Sequence, residues 1–122
     1  MYRVSVRQHF DAAHYLRNYH GKCEQMHGHR FEAVATVTAA ELDQAGMALD
    51  FSDLKKHLWE IVERFDHVSL NDVPPFDSLN PTSENIAATI YREMADRLAG
   101  LPVSLYSVEV WESPDSWATY MP

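Results

Sequence analysis

Two stretches of two-residue alternation bracket one polar loop, and together they commit the first third of this chain to a pair of β-strands. Tyr2, Val4, Val6 and Phe10 alternate with Arg3, Ser5, Arg7 and His9, and Phe31, Ala33, Ala35 and Val37 alternate with Glu32, Val34, Thr36 and Thr38. Successive side chains on a strand point to opposite faces, so each stretch offers one apolar face to a core. After Gly46 the period becomes helical: Leu54, Leu58, Ile61, Val62 and Phe65 share one stripe, and Asp50 or Ser52 can cap its start. Turn formers fill Asn71 to Asn80, including Pro74-Pro75. Pro81-Thr82-Ser83-Glu84 then opens a second helix, with Ile86, Ile90, Met94 and Leu98 as its stripe and Gly100 as its stop. Tyr106, Val108 and Val110 alternate toward Glu112, and a last short strand is predicted from Trp117 to Met121. The order ββααββ defines an α+β chain, expected as a four-stranded sheet covered on one side by two helices. A length of 122 residues, 46% of them hydrophobic, fits one domain over 1–122. The sheet face away from the helices would need polar residues or neighbouring subunits.

The charge balance narrows the class of partner. A formal net charge of −8 without any basic run argues against nonspecific contact with nucleic acid or anionic membranes. No apolar stretch of 18 residues occurs, and the N-terminus alternates at once instead of forming a signal core. A soluble cytoplasmic protein is expected. The single cysteine, Cys23, cannot form an internal disulfide. Free cysteines are commonly buried small hydrophobes, yet Gly21, Lys22, Glu24 and Gln25 give this one the polar, lysine-flanked setting in which a thiolate is stabilised and reached.

Three histidines carry the clearest chemical signal. His27 and His29 stand two apart around Gly28, so on an extended segment both imidazoles lean to one face, roughly 6.5 Å apart along the strand, within reach of one zinc ion. His14 ends the first alternating run; if that run pairs with the one starting near His27, the strand ends converge. Three protein ligands leave the fourth tetrahedral position open, the pattern of catalytic zinc. Taken alone, His-Gly-His is equally the mark of ordinary hydrogen-bonded histidines.

Two further groups combine a commonplace reading with a chemical one. Asp66-His67 closes the first helical stripe, where a carboxylate and a helix C-terminus both favour the imidazolium; this suits a proton shuttle or a simple partner for the helix dipole. Glu112 ends an apolar strand, where its carboxylate could accept two parallel hydrogen bonds from an amidine-like edge such as a guanine or pterin ring, or simply face solvent. Glu84 lies in the first turn of the second helix, where the dipole favours acids.

Taken in order, Phe10-Asp11-Ala12-Ala13-His14, Cys23-x-x-x-His27-Gly28-His29, Asp50-Phe51, Phe65-Asp66-His67, Asn80-Pro81-Thr82-Ser83-Glu84 and Trp111-Glu112-Ser113 resemble the successive motifs of the 6-pyruvoyltetrahydropterin synthase family across nearly the whole chain. Three residues between the cysteine and the histidine pair is the spacing of its bacterial branch, the 6-carboxytetrahydropterin synthases. The resemblance implies the tunnelling fold, a four-stranded antiparallel sheet with two helices on one face, and conversion of 7,8-dihydroneopterin triphosphate to 6-carboxytetrahydropterin, acetaldehyde and triphosphate, a step toward queuosine and other 7-deazaguanines. It implies that His14, His27 and His29 hold Zn2+, which binds the substrate side chain's hydroxyls and polarises the developing carbonyl. It makes Cys23 the general base, with Asp66 and His67 activating it and returning protons on the other face. Glu112 would anchor the pterin's amino and ring N–H groups, helped by Thr82, Ser83 and Glu84. The family's assembly is a homohexamer of two trimers with sites at subunit interfaces. Pyruvoyl formation, aldolase-like cleavage of the same substrate and a noncatalytic pterin- or metal-binding relative are the alternatives. Glu24 bears on this choice, because some relatives carry glutamate where the cysteine belongs. Contacts to triphosphate are expected from local bases such as Lys22, Arg30, Lys55 or Arg17.

Overall fold

Every second residue of the first strand is drawn out of water, and the sheet follows from that. In the computed structural model, which describes residues 1–21 and 24–122, β1 (Tyr2–His14) buries Val6, Phe10, Ala12 and His14, while β2 (His27–Ala39) buries Phe31, Ala33, Ala35, Val37 and Ala39. The two strands pair antiparallel over their whole length, with Phe10 opposite Phe31 and His14 opposite His27. The Phe10 and Phe31 rings stack with centroids 5.1 Å apart. The other face is mixed: Val34 and the stacked Trp111 and Trp117 lie among polar groups, where Ser5 and Thr36 share a hydroxyl contact of 2.7 Å, Arg7 and His9 both reach Glu32 at 3.3 Å, and Arg3 lies over the Tyr106 ring.

Helix α1 (Phe51–Val62) starts where Asp50, not Ser52, acts as the cap: its side chain accepts a hydrogen bond from the Ser52 amide at 2.8 Å. Its buried stripe is Leu54, Leu58, Ile61 and Val62. Helix α2 (Ser83–Leu98) is capped by Thr82, whose hydroxyl accepts from the Asn85 amide at 3.1 Å, and it buries Ile86, Ile90, Met94 and Leu98. Gly100 then takes φ +87°, a conformation that costs glycine little. Both stripes join the apolar residues of β1 and β2 in one core, so the helices cover a single face of the sheet.

The sheet departs from expectation in number and direction. It has five strands in the order β3-β1-β2-β4-β5, with β4 (Ser104–Ser113) antiparallel to β2 and β5 (Ser116–Tyr120) antiparallel to β4. The added strand β3 (Val68–Ser69) runs parallel to β1 beside Ala12 and Ala13, so the sheet is mixed and not a four-stranded antiparallel one, and the order becomes ββαβαββ. Two residues are too few to show a period, which is why the sequence pattern does not disclose β3. Asp66-His67 likewise does not close a helix. Helix α1 ends at Val62, and a short 3₁₀ turn over Glu63–Phe65 buries Phe65, extending the apolar stripe without extending the helix.

Candidate active site

The pairing of β1 with β2 decides where the histidines lie. His14 is the last residue of β1 and His27 the first of β2, directly opposite, and His29 follows on the same face. The ring centroids are 4.5 Å apart for His14 and His27, 4.8 Å for His27 and His29, and 5.4 Å for His14 and His29. Phe31 meets His14 and His29 edge-on at 5.2 and 5.6 Å and walls the rings from the core side. His14 is only 1% exposed. Its Nδ1–H donates to the Pro81 carbonyl at 2.8 Å, which turns the Nε2 lone pair into the cluster; His27 is turned the same way by donation to the Gln25 carbonyl at 2.7 Å. Burial pushes the His14 imidazole below its ordinary value, so it is held neutral, as a metal ligand must be.

Glu112, near the end of β4, joins this group. Its Oε1 lies 3.0 Å from His14 Nε2 and 3.4 Å from His29 Nε2, and donor atoms of His14, His27, His29 and Glu112 all fall within 4.8 Å of one another. The buried Nε2 of His14 nevertheless has no hydrogen-bond partner: with the ring proton on Nδ1, Nε2 and the carboxylate oxygen are both acceptors. Convergent imidazole nitrogens with an orphaned buried lone pair fit a tetrahedral zinc ion in donor type and number. Sequence reasoning gave Glu112 to a substrate ring and missed its approach to the histidines, which depends on β4 lying beside β2.

Asp66 and His67 form a second cluster, with Asp11. Asp66 Oδ1 accepts from the Asp11 amide at 2.9 Å, the His67 amide donates back to the Asp11 carbonyl at 2.6 Å, and His67 Nδ1 meets Asp66 Oδ2 at 3.0 Å. The bond from the Asp11 amide, helped by His67, holds the Asp66 carboxyl below the usual range, so it is ionised at neutral pH. His67 takes φ +59°, the left-handed conformation, and its imidazole is largely exposed. An open cavity of about 560 Å³ is lined by both His67 and His29, together with Asp11, Gly28, Arg30 and Ser69.

Ser83, Glu84 and Glu112 line a smaller cavity of about 200 Å³ with Ser116, Trp117 and Ala118. Thr82 is occupied in capping α2. Cys23 and Lys22 lie outside the described residues. Glu24 is exposed. Arg17 donates to the Phe76 and Leu79 carbonyls, and Arg30 pairs with Asp11 at 3.1 Å. Asn71 and Asn80 are positioning residues that the sequence did not reveal. Each side-chain amide pairs with a backbone unit of the loop leaving His14: Asn71 with Tyr15 at 3.0 Å both ways, Asn80 with Arg17 at 2.8 and 3.0 Å. The adjoining Asn80-Pro81-Thr82 string was the only local sign of them.

Comparison with known proteins agrees with this architecture. The family model for 6-pyruvoyl tetrahydropterin synthase matches residues 3–122, and the chain belongs to that family. A Synechocystis sp. protein named 6-carboxy-5,6,7,8-tetrahydropterin synthase is 43% identical over 116 residues, covering 91% of this chain and 86% of its own. A Pyrococcus furiosus protein named dihydroneopterin monophosphate aldolase is 36% identical over 110 residues, covering 90% and 89%. Among solved structures, Caenorhabditis elegans 6-pyruvoyl tetrahydropterin synthase superposes with a TM-score of 0.87 at 28% identity, covering 99% of this chain and 95% of that one.

Proposed function

We propose that this chain is a zinc-dependent 6-carboxy-5,6,7,8-tetrahydropterin synthase, acting on 7,8-dihydroneopterin triphosphate in the cytoplasm on the route to queuosine and other 7-deazaguanines. The observation that carries the reading is the convergence of His14, His27 and His29 at facing strand ends, with the His14 Nε2 lone pair left for a ligand. The identity with the Synechocystis relative supports the choice of reaction. His14, His27 and His29 hold the ion, which supplies Lewis acidity toward the oxygens of the substrate's side chain. Cys23 takes the proton from a side-chain carbon as general base. Asp66, ionised and 3.0 Å from His67 Nδ1, orients that imidazole at the edge of the larger cavity, and His67 returns a proton to the substrate. Glu112, with Ser83 and Glu84 around the neighbouring cavity, accepts from the pterin's amino and ring N–H groups, and Thr82 contributes by setting the start of α2. The outer face of the sheet, which neither helix covers, and the exposed Trp117 on β5 support assembly into a homohexamer with sites shared between chains.

The test is to supply purified, zinc-loaded protein with 7,8-dihydroneopterin triphosphate and identify the pterin by mass spectrometry. The proposal predicts 6-carboxytetrahydropterin with stoichiometric acetaldehyde, abolished by Cys23→Ala while zinc stays bound. A pterin cleaved at its side chain would move the assignment to aldolase chemistry, the second reading, which the Pyrococcus furiosus relative and Glu24 beside Cys23 favour. No turnover by folded, zinc-loaded protein would refute both.

No helix is long and apolar enough to cross a membrane among the described residues.

A further inference from the structure

We propose that Glu112 is itself the fourth ligand of the resting metal, and that recognition of the ring pulls it away to open the coordination position. The inference rests on the histidine site proposed above and goes further by giving the carboxylate two alternating tasks. Three observations carry it. First, Oε1 stands 3.0 Å from His14 Nε2 and 3.4 Å from His29 Nε2. Two ligand atoms bound at about 2.0–2.2 Å to one tetrahedral ion are separated by about 3.3–3.6 Å, so the His29 contact has the length of a tetrahedral edge and the His14 contact reaches it by opening a few tenths of an ångström. Second, the His14 contact is not a hydrogen bond, although the nitrogen is fully buried. With its proton held on Nδ1 by the Pro81 carbonyl, Nε2 offers a lone pair to another acceptor, the Glu112 oxygen, and a cation between them reconciles two such acceptors at 3.0 Å. Third, neutral imidazoles bring no charge to an ion beside a side chain that is 1% exposed, and Glu112 supplies a carboxylate within reach.

The same side chain faces the cavity of about 200 Å³ lined by Ser83, Glu84, Ser116 and Trp117. At 32% side-chain exposure Glu112 retains room to turn between the two sites. A flat ring that offers two parallel N–H groups in that cavity can pair with both carboxylate oxygens, replacing the bond to the ion by a two-point hydrogen bond. Oxygen ligands on the remainder of such a molecule then find the fourth position open. Small oxygen or nitrogen ligands without the ring meet a site already closed. The arrangement makes ring recognition the condition for access to the metal, so unrelated hydroxylated metabolites are kept off the Lewis acid.

Cobalt(II) substituted into the full chain reads this directly, because its visible spectrum reports the number and kind of ligands independently of turnover, and azide serves as the small-ligand probe. The expected result is a four-coordinate spectrum without a thiolate charge-transfer band that azide leaves unchanged, and that becomes responsive to azide once a pterin without a side chain is added. In Glu112→Gln, checked for native circular dichroism, the spectrum changes, azide binds without pterin, and cobalt affinity falls by at least about tenfold. A spectrum and cobalt affinity identical to those of the native chain in Glu112→Gln would overturn the inference. A thiolate band in the native chain would also overturn it, giving the fourth position to Cys23. Because the metal site is a separate premise, His27→Ala is measured alongside. Cobalt bound equally well in His27→Ala would sink the histidine site itself, whereas cobalt lost there but unaffected in Glu112→Gln would remove only the role given to Glu112.

Discussion

His14 shows how a single side chain links burial to chemistry. Its ring is sealed by Phe31 and anchored at Nδ1 by the Pro81 carbonyl, leaving Nε2 for an electrophile. Burial lowers its proton affinity, so on acidification the unfolded chain takes up the proton first. The metal-free protein is therefore expected to lose stability as pH falls through 6.5 and below, with a lower urea midpoint at pH 5.5 than at pH 8. A variant lacking this imidazole, His14→Gln, should show a smaller change between the two pH values. Phe31 has a related task. Phe31→Ala removes the stacked partner of Phe10 and the wall behind two rings, and should cost about 3–5 kcal/mol in denaturant unfolding, with weaker zinc binding in whatever folded fraction remains. The Asn71 amide is 5% exposed and bonded on both sides to Tyr15, so Asn71→Ala should cost about 1–3 kcal/mol by the same measurement, since it leaves the Tyr15 amide and carbonyl unpaired.

At the level of elements, the periodic segments were legible and their neighbours were not. β1, β2 and both helices follow from two- and 3.6-residue patterns long enough to repeat, and Thr82 and Gly100 act at the helix ends as capping rules require. Removing the other cap, by Asp50→Ala, is expected to cost about 1 kcal/mol in thermal or urea unfolding without altering the histidine cluster, some distance along the chain. β3 was invisible because two residues carry no period, and Phe65 misled because a 3₁₀ turn keeps an apolar side chain on the core side after the helix has ended. The convergence of His14 with His27 was inferred from the supposition that their strands pair, which the register bears out. The place of Glu112 could not be read in the same way. It depends on β4 lying against β2, with a register shift between Thr36 and Val37, and neither is written in the local sequence of β4. The hold of the Asp11 backbone on Asp66 and His67 is likewise a consequence of β3 docking beside β1.

Across the whole molecule, one face of the sheet is used for stability and the strand ends for chemistry. Two helices bury the apolar face, and the ends of β1, β2 and β4 gather four side chains able to hold a metal ion where the core gives way to the cavities. Rigid strands supply positions that a loop alone would not hold, and the asparagine pair fixes the start of the segment that leads from His14 toward Cys23. Membership of the 6-pyruvoyl tetrahydropterin synthase family and the closeness to a named 6-carboxytetrahydropterin synthase give this geometry its chemical setting. The account stands on the three imidazoles binding one ion, and zinc content after exhaustive dialysis tests that most directly. One zinc per chain is predicted for the native protein and essentially none for the folded double variant His27→Ala/His29→Ala. Zinc retained at one per chain in that variant would contradict the account.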